Sequence, residues 1–164
     1  MTILDAIRQR HSTRSFQSRP IPKEILEQIV DAGRLAATAR NDQPWEFAVV
    51  TKKDILDKIT EIADHGKFIN QASACVAVFC KNTKYYLEDG SAATENMLVA
   101  AAALGAQSCW VAGDKKHYAP QINSLLGAPS ELKLVSLVAL GYEAVSKPRP
   151  VKRTLGNVLH WETF

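Results

Sequence analysis

Residues 89–105, DGSAATENMLVAAAALG, constrain the fold more than any other stretch. Ala, Met, Leu and Val cover almost every side of the helix predicted from Met97 to Leu104, and Gly105 stands where a left-handed residue ends a helix. A helix that is apolar all round must be buried, and its alanines let neighbouring backbones come close. A chain of 164 residues has few layers with which to surround it, which argues for self-association. The tail RTLGNVLHWETF adds to that argument through Val158, Leu159, Trp161 and Phe164. Each large side chain buried contributes about 1.5–3 kcal/mol. Such a tail embraces a partner or folds back on its own core.

Around that helix the chain divides without repeats, low-complexity tracts or linkers, as one domain over residues 1–164. Thr2 and Asp5 resemble a capping box that opens a short helix, Ile3 to Arg10. Pro22 starts a second, with Ile25, Leu26, Ile29, Val30, Gly33 and Ala37 on one face. Residues 46–51 (EFAVVT) read as a strand, 53–63 as an amphipathic helix and 74–80 (ACVAVFC) as a buried strand. QSCWVAG and LKLVSLVALGYE supply two more strands, with a helix near Tyr118–Leu126 between them. Leading helices and irregularly spaced strands predict an α+β or three-layer domain with a mixed sheet.

Composition excludes several functions. A hydrophobic fraction of 46% and a charged fraction of 23% are those of an ordinary globular protein, and a net charge of +3 is too small to indicate nucleic acid. No apolar run approaches a membrane span, and MTILDAIRQR lacks the apolar block of a signal peptide. Cys75, Cys80 and Cys109 form no CxxC pair, so reduced thiols and a cytoplasmic location are expected. The four histidines are scattered, without a zinc-like grouping.

The positive charge is concentrated in two coils. In RQRHSTRSF (8–16), Arg10, Ser12 and Arg14 alternate, and alternate residues of an extended segment share one face. Two guanidiniums and a hydroxyl can therefore converge on one anion, at about 1.5–3 kcal/mol per charge-assisted hydrogen bond. Three or four such bonds form a large part of a micromolar affinity of about 8 kcal/mol. The alternative is a solvated polar turn, and Arg8 and Arg19 read as surface residues. In SKPRPVKR, Pro148 and Pro150 fix the spacing of Lys147 and Arg149. This coil either clamps the same anion or is a charged surface loop. GxxxxGK[ST] and GxGxxG are both absent, so a bound phosphate would be held by side chains.

Taken in order, five segments resemble the FMN-dependent nitroreductase family. RHSTRSF is similar to its RRSxRxF phosphate element, and AATARNDQPWEFAVV to its APSxxNxQPWxFxVV segment. ATENMLVAAAALGAQSCWVAG resembles its NM-containing helix and following strand, LVALGYEAVSKPRP its closing strand and KPR, and VLHWETF its tail. The resemblance implies a three-layer α-β-α fold around a mixed, mainly antiparallel sheet, and an obligate homodimer with two shared FMN sites. It places Arg10, Ser12 and Arg14 on the FMN phosphate, ribityl chain and pyrimidine end, with His11 where a second arginine is common. Lys147 and Arg149 match the C-terminal phosphate clamp, and Thr38 and Asn41 match positions that reach the flavin of the partner subunit. Pro44 and Trp45 are expected to set the shape of that loop. The backbone at Val111, Ala112 and Gly113 is expected near the ring, and Lys67 and Asn70 near the pyrimidine, against the alternative of surface polar groups.

The implied chemistry is electron transfer from NAD(P)H through FMN to a small acceptor, a nitroaromatic or quinone, in two half-reactions. Arg14 would stabilise the anionic reduced flavin, and no protein nucleophile is required. Cys109 reads as a small buried strand residue. Two departures stand out: AAT replaces APS, and Arg40 occupies a usually uncharged position, as a selector of anionic acceptors or as a loop arginine. The KYY tyrosines at 85 and 86 stack over an acceptor or line a core. Three other readings remain: a specialised flavin enzyme such as a flavin reductase or reductive dehalogenase, a polyanion-binding module, and a flavin-holding protein without turnover.

Overall fold

A computed structural model describes residues 1–146 and 148–164. Its helices are α1 (Ile3–Gln9), α2 (Lys23–Arg34), α3 (Lys53–Ile62), α4 (Tyr86–Ala103) and α5 (Ala119–Leu126). Its strands are β1 (Trp45–Val50), β2 (Ala74–Cys80), β3 (Gln107–Ala112) and β4 (Lys133–Gly141). The strands form one sheet in the order β1-β2-β4-β3, and every pair in it is antiparallel. Among the described residues, the mixed character expected of the sheet is confined to one isolated parallel bridge, Ser12 to Ser108.

Strand parity sorts the core into two halves. Along β2, Val76 and Val78 join Leu26, Ile29, Met97 and Ala101 on the α2–α4 side. Cys75, Ala77 and Phe79 join Leu56, Ile59 and Ile122 on the α3–α5 side. All seven residues of β2 are buried, because a strand covered on both faces has no solvent side. The register between β2 and β4 shifts between Val78 and Phe79. This irregularity leaves two consecutive residues, Val135 and Ser136, facing α4. Ser136 would be a costly polar group there, but its hydroxyl lies 2.8 Å from that of Thr94, which donates to the Gly90 carbonyl.

The alanine-rich stretch lies within the longer helix α4, whose end has the expected geometry. Gly105 takes φ +78°, its N–H donates to Ala102 O, and Ala106 N–H donates to Ala101 O. On the α2 side the approach is close: a Cβ at Gly33 would lie 2.9 Å from Met97 Cγ. The chain does not surround α4 completely. Ala93, Met97, Leu98, Ala101 and Ala102 are buried, whereas Ala103 is exposed and Val99, Ala100 and Leu104 are half-buried. Nor does the tail fold back on its own core, since every residue from 151 to 164 is exposed.

Candidate functional site

The segment after α1 is extended and tied to the sheet on two sides. Ser12 bridges Ser108 at the start of β3, and Thr13 N–H donates to Ser108 O. Phe16 bridges Glu143 just past β4, with Gln17 N–H donating to Tyr142 O and Ala144 N–H to Ser15 O. Arg10, Ser12 and Arg14 line a cavity of about 800 Å3, as the alternation predicts, with Thr13 buried beneath; the strict alternation does not extend along the whole segment, since His11 and Ser15 also line the cavity and Phe16 is buried. Arg149 reaches the same cavity from the other end of the chain, and its Nη1 donates to the Arg8 carbonyl at 3.1 Å. The Pro148–Arg149–Pro150 coil is thereby anchored to the end of α1.

Cations outnumber carboxylates in this cavity. Arg8, Arg10, Arg14, Arg149 and Lys152 face only Glu95 and Glu143 among the described residues. Glu95, on α4, lies 3.7 Å from Arg10 Nε, and Glu143 lies 2.9 Å from His11 Nε2. Lys147, the remaining member of the expected clamp, lies outside the described residues. Arg14 sits with its guanidinium carbon 5.9 Å from the centroid of Phe68, whose ring in turn lies 6.4 Å from that of Phe16. Burial pushes the Cys109 thiol up, against the opposing pull of Arg14, Ser12 and Arg10. Cys109 is therefore a buried neutral thiol beneath the basic segment, as its strand position suggested.

Other expected site residues are placed elsewhere. The Lys67 ammonium donates to Thr60 O and Glu61 O, at 3.0 and 3.1 Å, and so caps the last turn of α3. Asn70 lies in the short turn Ile69–Gln71, and its Oδ1 is buried with no hydrogen-bond partner among the described residues. Phe68, not Lys67 or Asn70, is the residue of this stretch that meets Arg14. Ala112 and Gly113 lie at the far end of β3 from Ser108. Gly113 N–H donates to Val135 O, and Ala112 O accepts from the Tyr118 hydroxyl. Tyr86 is also at that far end. It donates to Asp114 at 2.6 Å, and this bond, with burial and nearby negative charge, pushes its phenol up to about 12.

Thr38 and Asn41 belong to a separate loop with an unusual backbone. Arg40, Asn41 and Gln43 adopt φ of 54°, 58° and 45°, a region that side chains normally avoid. A carboxylate that the sequence reading passed over holds this loop. Asp89, 4% exposed, accepts from Thr38 Oγ1 and from Ala39 N–H, each at 3.0 Å. The Thr38 hydroxyl also accepts from Gln43 N–H at 3.2 Å, so it links the loop to itself and to Asp89 on α4. Pro44 and Trp45 are buried, in keeping with a packing role.

The sequence reading missed Glu95 and Glu143 at the cavity; Arg8 and Arg19 are exposed, as read, with Arg8 at the cavity rim and Arg19 over the Tyr142 ring at 4.0 Å. For Glu143 the only available signal was its position just past the closing strand. Glu95 could have been anticipated from lying on a polar interruption of an otherwise apolar helix. Among the described residues no group of His, Cys, Asp and Glu could hold a metal ion, and no helix is long and apolar enough to cross a membrane.

Comparison with known proteins extends the picture to nearly the whole chain. A family model described as "Nitroreductase family" matches residues 7–84 and 81–142. A protein of Archaeoglobus fulgidus, provisionally named an NADH dehydrogenase/NAD(P)H nitroreductase, is 38% identical over 146 residues, covering 85% of this chain and 84% of its own. The crystal structure of a nitroreductase with bound FMN from Bacteroides fragilis superposes with a TM-score of 0.82 at 26% identity, covering 99% of this chain and 100% of that one. An FMN-dependent nitroreductase from Clostridium difficile shares the fold at a TM-score of 0.91 and 24% identity, covering 98% and 99% of the two chains.

Proposed function

Because this chain belongs to the nitroreductase family, we propose that its basic cavity binds FMN by the phosphate end and that a second copy completes the site. The protein is then an NAD(P)H-dependent flavin oxidoreductase acting on small acceptors such as nitroaromatics or quinones. One observation carries the reading: Arg10, Ser12 and Arg14 from one end of the chain and Arg149 from the other line a single cavity of about 800 Å3. That volume lies within the range of cofactor pockets. The donor set suits a phosphate, with forked guanidiniums for its oxygens and a hydroxyl beside them. When bound there, FMN would supply the hydride chemistry between NAD(P)H and the acceptor.

The chain's own residues bind and orient. Arg10 and Arg149 hold the phosphate, the Ser12 hydroxyl serves the ribityl side, and Arg14 brings its charge toward the ring with Phe68 behind it. Lys147 is assigned to the phosphate clamp on sequence grounds. Thr38 and Asn41 act through the Asp89-anchored loop, presented to the site of the other copy. Ala112, Gly113, Lys67 and Asn70 stay in the set on sequence grounds; the Lys67 ammonium and Gly113 N–H are engaged within the chain, whereas Asn70 Oδ1 has no partner among the described residues. Support for a second copy comes from what one chain leaves bare. Ile3, Leu4 and Ile7 of α1, Leu35, and the tail residues Trp161 and Phe164 are all exposed apolar groups.

The test starts with the purified protein and its visible spectrum. Flavin absorbance that bleaches anaerobically with NADH or NADPH is the expected result, and the faster donor is the preferred one. Arg10→Ala and Arg149→Ala should each raise the Kd for FMN by about 10- to 100-fold while circular dichroism stays unchanged. A colourless protein that takes up no added FMN overturns the reading.

A further inference from the structure

We infer that Asp89 is a positioning residue for the cofactor site: from the first turn of α4 it holds the loop 38–43 in the left-handed form that presents Asn41. The inference rests on the FMN reading, in which this loop serves the site of the second copy. It adds to that site a residue that itself touches no cofactor.

The loop does not hold itself. Arg40, Asn41 and Gln43 take φ of 54°, 58° and 45°. Asparagine tolerates this region through its short polar side chain, whereas the longer side chains of arginine and glutamine gain nothing there. The backbone bonds inside the stretch are those of one short turn, Asn41 N–H to Thr38 O at 3.3 Å and Asp42 N–H to Ala39 O at 3.0 Å. Such a backbone persists only where its surroundings over-determine it.

Asp89 supplies that hold. Its Oδ2 accepts from the Thr38 hydroxyl and its Oδ1 from Ala39 N–H, each at 3.0 Å. A carboxylate accepts at both oxygens, so one side chain meets both donors at once. The Thr38 hydroxyl passes the hold on by accepting from Gln43 N–H at 3.2 Å. The left-handed residues are thereby bracketed between positions 38 and 43, which share one hydroxyl fixed to α4. The base of the mount is stiff. Asp89 is buried and its N–H donates to Tyr85 O at 2.9 Å. A Cβ at the neighbouring Gly90 would lie 2.7 Å from Val135 Cγ2 and 2.9 Å from Cys80 Sγ, so this turn of α4 lies flush on β4 and β2. The first turn of a helix also favours negative charge, which offsets part of the cost of burying a carboxylate against neutral donors.

A loop held in this way brings Asn41 to the flavin with no ordering cost at the moment of binding. Without Asp89 the backbone relaxes out of the left-handed region and Asn41 turns away.

Two substitutions strip the hold from opposite sides: Asp89→Leu, of similar size, from α4, and Thr38→Val from the loop. In the cofactor-free protein, hydrogen exchange should quicken about tenfold or more at the Gln43 amide in both variants and at the Ala39 amide in Asp89→Leu, with β2 amides unchanged. FMN titration by fluorescence quenching should give a Kd about five- to twentyfold above wild type in each. In an Asn41→Ala background either change should raise Kd by less than about twofold, because the group being positioned is gone, whereas a general loss of stability would add in full. Thr38→Val, which leaves α4 untouched, carries the test by itself where Asp89→Leu does not fold. Loop amides that exchange as in wild type, a wild-type Kd in a variant whose loop amides quicken, or an undiminished effect on top of Asn41→Ala overturns the inference and leaves the cofactor reading standing. No FMN binding by the wild type overturns both.

Discussion

Residues 10–17 and residues 151–164 are both short coils outside the main elements, and they end up in opposite physical conditions. The first has its backbone tied to β3 and to the end of β4, Thr13 and Phe16 buried, and its cations turned into a cavity. Among the described residues the second makes hydrogen bonds only within itself, such as Leu159 N–H to Leu155 O, while Trp161 and Phe164 stand in solvent. The first segment has its backbone hydrogen bonds met within one chain. The second has apolar groups that its own chain leaves exposed, the surface on which the proposed second copy would rest.

Deleting residues 151–164 is the harshest way to break that contrast. The expected outcome is the largest of all: apparent mass in gel filtration falls by half and the purified protein loses its flavin. A shortened chain that stays dimeric and yellow would show that the tail has no structural role in the site.

A paired glycine substitution sharpens the contrast at smaller cost. A Cβ at Gly141 would lie 2.6 Å from Phe16 Cδ1 and 3.0 Å from its Cγ, so the basic segment packs directly on β4 there. Gly141→Ala should destabilise the protein by about 1–3 kcal/mol, because a tightly packed ring must move. Gly156, in the tail, has nothing within 4 Å, and Gly156→Ala should change unfolding free energy by less than about 0.5 kcal/mol. Equal effects in chemical denaturation would erase the distinction between the two regions.

The smallest expected effect concerns α1, which leads into the basic segment. Hydrogen bonds from the Thr2 hydroxyl and N–H hold the Asp5 carboxyl below its ordinary 3.8. A folded-state value that is lowered stabilises the fold above the unfolded value and loses that contribution as pH falls through the folded one. The thermal midpoint of Asp5→Asn should thus lie slightly below wild type at pH 7 and converge with it as pH falls below the ordinary 3.8 and through the lowered folded-state value. A constant gap at both pH values would show that the charge is irrelevant to the cap.

Much of the fold was legible because it is local. The strand at 74–80 was bounded without error, and the capping box, the amphipathic α3 and the Gly105 stop all follow from residue order alone. The basic face of Arg10, Ser12 and Arg14 was legible for the same reason, as strand parity needs no tertiary information. Lys67 and Asn70 were harder to read, because a shift of one residue in a short turn moves a side chain to another surface. There Phe68 faces Arg14, and Lys67 caps α3. Asp89 and Glu143 were passed over because their partners lie about 50 and 130 residues away in the chain, at separations no local pattern encodes.

By itself, then, the sequence determined which residues are helical or extended, which face of each is apolar, and that two basic coils exist. Periodicity and capping depend on neighbours within a few positions, so they survive without a fold. Only the tertiary structure decided that the coils meet, that Glu143 and Glu95 temper the arginines between them, and that Asp89 holds a strained loop. Those outcomes depend on distances between remote segments, which the packing of β3 and β4 against α4 sets and residue order does not. It likewise decided that the apolar tail finds no cover in its own chain, because the core closes without it.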